Sequence, residues 1–328
     1  MSLPWLRLPR ASLRPSSYAF QTRHASRLRV PIPPPFPIVE SCPPATCSCR
    51  PMPSGLDIDR ERPLNGTMAA YAEQVLLCTG KDDWSSKIEE DEDAVFAREL
   101  KGLLGRDGKL SNPYHNVLVT NCSFPSLGQD IRTEITALVL PSFRSVSFIP
   151  SSKDGAEVFL KAFILPTKLH DAHNVLSEEQ RQKLLRVPEL QSEFATSTEI
   201  KDVVVLICGH GGRDDRCGIM GPLLRNEFEE KLEAVGFESG AESARSTGTR
   251  SARVGLISHI GGHKYAGNVI IYIPASMKGH PLAGKGVWYG RVGPEHVEGL
   301  VKETIMEGKV VKDMFRGGIS QGGDLMRL

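Results

Sequence analysis

Short apolar runs and longer segments with helical spacing alternate along most of the chain. Runs rich in β-branched and aliphatic residues predict strands at residues 74–78, 115–121, 137–141, 145–149, 203–208, 254–258, 268–274 and 287–290. Apolar residues three and four apart predict helices at residues 91–104, 155–164, 177–185, 222–235 and 294–305. This order of elements predicts an α/β (α+β) fold. After residue 203 it is compatible with a thioredoxin-like layer.

Changes in composition divide the chain into five predicted segments. These are a mitochondrial presequence at 1–30, a Pro- and Cys-rich linker at 31–58, an N-terminal α/β domain at 59–195, a second domain at 196–308 that contains the possible thioredoxin-like layer, and a C-terminal tail at 309–328. The linker prediction rests on nine prolines in residues 31–55, because proline favours extended conformations. Residues 236–250 are rich in Ser, Gly, Ala and Glu and predict a flexible insertion. The sequence shows no internal repeat.

Charge is distributed unevenly along the 328 residues. The first 39 residues contain six Arg and no acidic residue, whereas the remainder has 34 basic and 39 acidic groups, a net charge of −5. A mildly acidic body gives no electrostatic reason to bind a polyanion, so we expect no nucleic-acid binding. The cationic leader predicts import into mitochondria, with the matrix as the default destination, and the alternative is a disordered basic tail. The aliphatic runs are too short to span a bilayer, so no membrane span is expected.

Three of the seven cysteines lie in the proline-rich linker. Cys42, Cys47 and Cys49 form the pattern Cys-x4-Cys-x-Cys, which matches no common zinc or redox motif. Their concentration in one short segment suggests metal binding or thiol exchange. Free, solvent-exposed thiols explain the pattern equally well.

Two glycine-rich loops collect side chains that bind metals. The first loop runs from Cys208 to Cys217, and the second contains His259 and His263. Two Cys and two His supply four ligands, the number required by tetrahedral zinc or by a [2Fe–2S] cluster. Eight residues separate the cysteines, which is too many for a zinc finger, and Met220 stands where a Rieske pattern requires a second His. The spacing therefore leaves both metals open, together with the alternative of a buried strand-end Cys and a core His.

The sequences of these loops resemble those of a known family. The segments Cys-Gly-His-Gly-Gly-Arg-Asp-Asp-Arg-Cys-Gly at 208–218 and Ser-His-Ile-Gly-Gly-His-Lys-Tyr-Ala-Gly-Asn at 258–268 are similar to the sucrase/ferredoxin-like family of fungal thioredoxin-like ferredoxins, as is Val-Trp-Tyr-Gly-Arg-Val at 287–292. The resemblance runs from about residue 43 to residue 305 and is closest to a mitochondrial member. It implies a C-terminal thioredoxin-like ferredoxin domain and a [2Fe–2S] cofactor on Cys208, Cys217, His259 and His263. It also implies a role in mitochondrial electron transfer or thiol redox homeostasis.

The chemistry of such a site also sets expectations for neighbouring residues and partners. His210 is expected to donate a hydrogen bond to a ligand sulfur. Arg213 and Arg216 are expected to stabilise a reduced centre or to contact an acidic partner, the alternative being solvated loop charges. The expected partners are the iron–sulfur assembly machinery and a redox protein that the sequence does not identify.

Two other functions compete with this interpretation. Gly318-Ile-Ser320-Gln-Gly322 has the form of a hydrolase nucleophile elbow, but no His follows it in the chain, so no hydrolase activity is expected. The remaining alternative is a zinc-stabilised, non-catalytic scaffold in which the four ligands only fold the C-terminal domain.

Overall fold

A computed structural model describes residues 33–194, 196–239 and 250–328. The predicted presequence and most of the predicted insertion lie outside these ranges. The first half contains β1 (Ile38–Val39), β2 (Glu73–Cys78), α1 (Val95–Leu104), β3 (Val117–Cys122), β4 (Glu134–Leu140), β5 (Arg144–Pro150), α2 (Lys153–Phe159), α3 (Glu178–Lys183) and β6 (Thr198–Glu199). The second half contains β7 (Val203–Cys208), α4 (Asp215–Ala234), β8 (Glu238–Ser239), β9 (Ser251–Ile257), β10 (Val269–Ile273), β11 (Lys285–Tyr289), α5 (Pro294–Leu300), β12 (Val310–Val311), β13 (Phe315–Ser320) and β14 (Leu325–Met326).

The α/β fold class and the predicted strands and helices are confirmed, but two helix starts are displaced. The helix predicted from residue 91 begins at Val95. The predicted start of a helix at residue 222 is wrong, because α4 begins at Asp215 and Pro222 lies inside it. Asp214 precedes the helix in an extended conformation, and its carboxylate accepts the backbone N–H of Arg216. This N-cap satisfies a free N–H of the first turn and sets the start of the helix seven residues before the proline.

One mixed sheet contains strands from both predicted domains. Its strand order is β14-β13-β11-β10-β7-β9-β3-β2-β4-β5-β6, and β8 pairs with β9. Its two halves meet where Cys122 of β3 lies opposite Ile257 of β9 in an antiparallel pair. The predicted boundary at residue 195 stays a prediction, and the strands on either side of it share this sheet.

The two halves of the sheet have the same topology. In the first half β2 pairs in parallel with β3 and antiparallel with β4, which pairs antiparallel with β5. In the second half β7, β9, β10 and β11 repeat this arrangement. A helix connects each parallel pair, and the helix after each fourth strand continues into a π-helix, at Leu160–Ile164 and at Val301–Met306. The fold therefore contains a duplicated unit that the sequence does not reveal.

Alternate residues of the buried strands pack into two hydrophobic cores. Val75 and Leu77 of β2 pack in a core with side chains of α1 and α2. Leu76 and Cys78 belong to the larger core, which also contains Cys208 and the buried face of α4. This division follows from the two-residue period of a strand, which sends successive side chains to opposite faces.

The predicted linker and the predicted tail both contribute to the packed unit that runs from Pro34 to Leu328. Within the predicted linker, β1 pairs in parallel with β12, and the buried Phe36 ring lies 5.8 Å from that of Phe315. The predicted tail at 309–328 forms β12, β13 and β14, and β13 is almost wholly buried. The predicted boundary at residue 309 stays a prediction, and β13 joins the large sheet by pairing with β11. In the parts of the chain that the structure describes, no helix is long and apolar enough to cross a membrane.

Candidate metal centre

The first glycine-rich loop connects the central strand β7 to α4. Cys208 is the last residue of β7, and its backbone N–H donates to the carbonyl oxygen of Asn268. Cys217 lies in the first turn of α4, and both thiols are buried. Gly218 and Gly211 approach so closely that a Cβ on Gly218 would lie 2.7 Å from Cα of Gly211. The glycines thus allow the loop to fold against the helix and bring the two cysteines together.

The second loop follows β9, the parallel neighbour of β7. His259 comes two residues after this strand, and His263 begins a 3-10 helix at His263–Tyr265. Gly261 and Gly262 have φ values of 86° and 79°, in the left-handed region where glycine is favoured. The imidazole rings of His259 and His263 are 5.4 Å apart between centroids.

The structure brings all four predicted ligands together at one edge of the sheet. The Cys208 sulfur interacts with the Cys217 thiol and with the His259 side chain, and both interactions lower the pKa of Cys208. The contacts therefore form a chain: Cys217 to Cys208, Cys208 to His259, and His259 to His263. This proximity depends on β7 and β9 being neighbours, since the carboxyl ends of parallel strands meet at one sheet edge.

The pKa values of the two thiols shift in opposite directions. The hydrogen bond from Cys217, assisted by His259, holds the pKa of Cys208 well below its usual range, although burial opposes this effect. The pKa of Cys217 is raised, first because it gives the hydrogen bond to Cys208 and then because it is buried. Ionisation of one sulfur of the pair is therefore favoured while the other keeps its proton, and metal binding requires thiols that have lost their protons.

The donor set fits a metal centre in residue type, and its two thiols are buried. Nδ1 of His263 is buried and has no hydrogen-bond partner among the described residues. Such an orphaned nitrogen is uncommon, and a metal ion that accepts its lone pair accounts for it. In the described ranges, no group of three or more His, Cys, Asp or Glu side chains is already arranged to hold a metal ion.

His210 has a different role from the one predicted. Its Nε2 lies 3.0 Å from the carbonyl oxygen of Trp84 and 2.9 Å from that of Ser85. Its Nδ1 accepts the backbone N–H of His259 at 2.9 Å. The imidazole therefore does not donate to a ligand sulfur. It links the first loop to the second, and the backbone of His210 makes the hydrogen bond to Cys208.

The two arginines of the first loop, Arg213 and Arg216, differ in their partners and in their exposure. Arg216 pairs with its helix cap Asp214 at 2.8 Å and also donates to the carbonyl oxygen of Asp57. The hydrogen bond from Arg216 lowers the pKa of Asp214, the carboxylate that lies 4.0 Å from Nε2 of His263. Arg213 is exposed and donates to the hydroxyl of Ser86. Of the two, only Arg213 keeps a solvent-facing charge beside the loops.

A buried arginine supports the second loop from beneath. Arg316 of β13 is 2% exposed and donates to Oδ1 of Asn268 at 2.6 Å, to the carbonyl oxygens of Gly261 and Thr67, and to the hydroxyl of Thr67. Burial lowers the pKa of Arg316 to about 10, and the nearby sulfurs of Cys208 and Cys217 oppose this effect. Sequence analysis missed this residue because it lies in the predicted tail, and no local pattern marks it as part of the site.

The three linker cysteines lie elsewhere. Cys42 contacts the carbonyl oxygen of His296, and burial raises the pKa of its thiol to about 12. The Cys47 sulfur lies 3.1 Å from Nζ of Lys231 and 3.1 Å from Oε2 of Glu298, whereas Cys49 is half-buried. Lys231 is fourteen residues beyond Cys217 on α4, a distance of about 21 Å along the helix axis. Cys47 is therefore remote from the four predicted ligands.

Comparisons with known proteins cover the region that contains both loops. The model of the sucrase/ferredoxin-like family matches residues 64–317. The chain is 32% identical over 285 residues to altered inheritance of mitochondria protein 32 of Meyerozyma guilliermondii, covering 84% of this chain and 90% of the relative. The protein of the same name in Debaryomyces hansenii is 30% identical over 292 residues, covering 86% and 96%. Actin patches distal protein 1 of Saccharomyces cerevisiae is 30% identical over 261 residues, covering 76% and 74%. No solved structure matches the chain.

Proposed function

Since the chain belongs to the sucrase/ferredoxin-like family, we propose that it is a mitochondrial redox protein that binds a [2Fe–2S] cluster through Cys208, Cys217, His259 and His263. It acts in electron transfer or in thiol redox homeostasis. The convergence of two thiols and two imidazoles from separate loops at one sheet edge carries this proposal. The orphaned Nδ1 of His263 supports it.

The residues of the chain have distinct tasks in this proposal. A [2Fe–2S] cluster with two neutral imidazole ligands supplies a one-electron acceptor of higher potential than an all-Cys cluster. Cys208 offers a sulfur that is already inclined to ionise. His210 fixes the backbone before His259 through its Nδ1, and Arg316 holds the carbonyl oxygen of Gly261. These contacts orient the second loop before any metal binds.

The location is proposed from two independent features. The leader of six arginines without acidic residues has the composition of a mitochondrial presequence. The relatives from Meyerozyma guilliermondii and Debaryomyces hansenii carry a name that refers to the inheritance of mitochondria. We place the protein in mitochondria, in the matrix.

Anaerobic purification followed by an absorption spectrum and metal analysis tests the proposed cofactor. Visible charge-transfer bands that bleach with dithionite, together with two irons per chain, are expected from the two-Cys, two-His donor set. The variants Cys217→Ala and His263→Ala should lose the bands, whereas Cys47→Ala should keep them because this thiol is remote from the site. A colourless protein with one zinc per chain would instead establish the zinc-stabilised scaffold.

A second measurement tests the His ligands. The variant His259→Cys should lower the reduction potential, because a thiolate adds negative charge to the centre. It should also weaken the pH dependence of the potential, since one titratable imidazole is lost. An unchanged pH slope would exclude His259 as a titrating ligand.

A further inference from the structure

Two buried thiols in the first half of the sheet occupy positions related to the candidate metal centre. Cys78 ends β2 as Cys208 ends β7, its topological counterpart. Cys122 ends β3 and is in register with Cys78 on one side and with Ile257 of β9 on the other. Ile257 is in turn in register with Cys208 of β7, so the four residues form one row across the sheet. No sequence pattern associates Cys78 with Cys122, since 43 residues separate them.

Because these residues lie in one row across the sheet, their side chains project from the same face. Residues in register on neighbouring strands project from the same face of a sheet. Cys78 and Cys122 accordingly belong to the same hydrophobic core, which also contains Ile257 and Cys208. At about 4.8 Å per strand, the backbone of Cys122 is about 10 Å from that of Cys208, two strands away.

The two sulfurs have the geometry of a dithiol that can close. The thiol of Cys122 donates to the sulfur of Cys78 at 3.8 Å. Neighbouring strands place paired Cα atoms about 5 Å apart, within the range of about 4.4–6.8 Å found in disulfides. A small rotation about the Cα–Cβ bonds is therefore enough to join the sulfurs, and the strands need not move.

A cavity gives small molecules a route to this pair. Its volume is ≈ 340 Å³, and its walls include Cys78, the apolar side chains of Phe124 and Leu138, and the guanidinium of Arg253. A volume of this order holds a small molecule and not a folded partner. Burial raises the pKa of Cys122, and the positive charge of Arg253 opposes this effect. Arg253 is itself held by Asp202, with Nε and Oδ2 2.6 Å apart.

We propose that Cys78 and Cys122 form a second redox site, a dithiol that reduces a small disulfide admitted through this cavity. The thiolate of Cys78, which lines the cavity, attacks one sulfur of the small disulfide, and the other sulfur leaves as a thiol with the proton that Cys78 lost. Cys122 then gives up its proton and attacks the sulfur of Cys78, which releases the second small thiol. The protein gains a disulfide and loses two electrons and two protons, and the small disulfide becomes two thiols. Burial makes both steps slow.

Thiol mapping of the full-length protein tests the proposal. The protein is equilibrated with reduced and oxidised glutathione at graded ratios, quenched with acid, alkylated and digested for mass spectrometry. The expected product is a peptide pair joined through Cys78 and Cys122, with a fraction that rises with the share of oxidised glutathione. If both thiols remain fully alkylatable at the most oxidising ratio, or if Cys78 pairs with a different cysteine, the proposal is overturned.

Two variants separate this site from the metal centre and from folding defects. Cys122→Ala should stop the reaction at a glutathione adduct on Cys78, because no thiol remains to resolve it. Cys217→Ala should still form the disulfide, since the dithiol does not depend on the proposed cluster. Loss of the cluster with retention of the disulfide would therefore leave this inference standing. An unreacted Cys78 in folded Cys122→Ala would count against it.

Discussion

Replacing Arg316 by methionine removes a charge and four hydrogen bonds from beneath the second loop while keeping much of the side-chain volume. The guanidinium donates to the buried Oδ1 of Asn268, to the half-buried carbonyl oxygens of Thr67 and Gly261, and in addition to the Thr67 hydroxyl. An acceptor that is left without a donor inside the protein costs about 1–3 kcal/mol. Leaving these three oxygens without the guanidinium therefore costs about 6 kcal/mol. The free energy of unfolding should fall, but by less than this sum.

The offset comes from the cost of burying the charge. Burial lowers the pKa of Arg316 from 12.5 to about 10, which corresponds to about 3 kcal/mol against the charged form at 1.36 kcal/mol per pH unit. Methionine relieves this cost. The net expectation is a loss of about 3 kcal/mol in the free energy of unfolding.

Urea unfolding of the metal-free protein, followed by circular dichroism, measures this loss. Arg62→Met is the matched control, because the side chain of Arg62 is 70% exposed and its removal should change stability by less than about 0.5 kcal/mol. The denaturant slope should stay constant, so that the shift in midpoint reports stability. A change below about 1 kcal/mol for Arg316→Met, or one equal to the control, would refute the claim that this residue supports the loop.

Three further predictions concern other parts of the chain. Burial raises the pKa of Glu73 from 4.5 to about 7 in the folded protein. As the pH rises from 4.5 to 7, Glu73 therefore ionises in the unfolded chain but not in the folded one, and the free energy of unfolding falls. Glu73→Gln should therefore gain about 2–3 kcal/mol relative to the wild type between pH 5 and pH 8 in denaturant unfolding, and parallel pH profiles would contradict this. Gly218→Ala should destabilise the protein by about 1–3 kcal/mol and reduce its metal content, since the new Cβ meets the backbone of Gly211 at 2.7 Å. Gly102→Ala in α1, with nothing within 4 Å of its Cβ, should instead gain up to about 1 kcal/mol.

The elements that sequence analysis predicted well are those with a strong local pattern. The run at 203–208 is continuously apolar and became β7, all of whose residues are buried. The proline at 222 predicts a later start for α4 than the observed one. The boundary is set instead by the cap residue Asp214, whose carboxylate accepts the backbone N–H of Arg216. The strands β12, β13 and β14 were missed because β13 contains two successive glycines and the other two are only two residues long.

The composition of the candidate site was predictable, but its supporting contacts were not. Cysteine and histidine in glycine-rich loops indicate metal ligands because few other residue types donate sulfur or imidazole nitrogen. The tautomer-fixing contacts of His210 are made with Trp84 and Ser85, more than a hundred residues away in the chain. No local pattern predicts which carbonyl a buried imidazole will meet.

The four predicted ligands, the strands that end beside them and the cationic leader can be identified from the amino-acid sequence alone. Each of these depends on side-chain chemistry or on a short repeat of apolar positions, which are local properties of the chain. The folded arrangement is needed to show that β9 lies beside β7, that Arg316 is buried under the second loop, and that Cys78 faces Cys122. These are pairings across tens or hundreds of residues, and they are set by sheet register and by the packing of the whole core rather than by any segment alone.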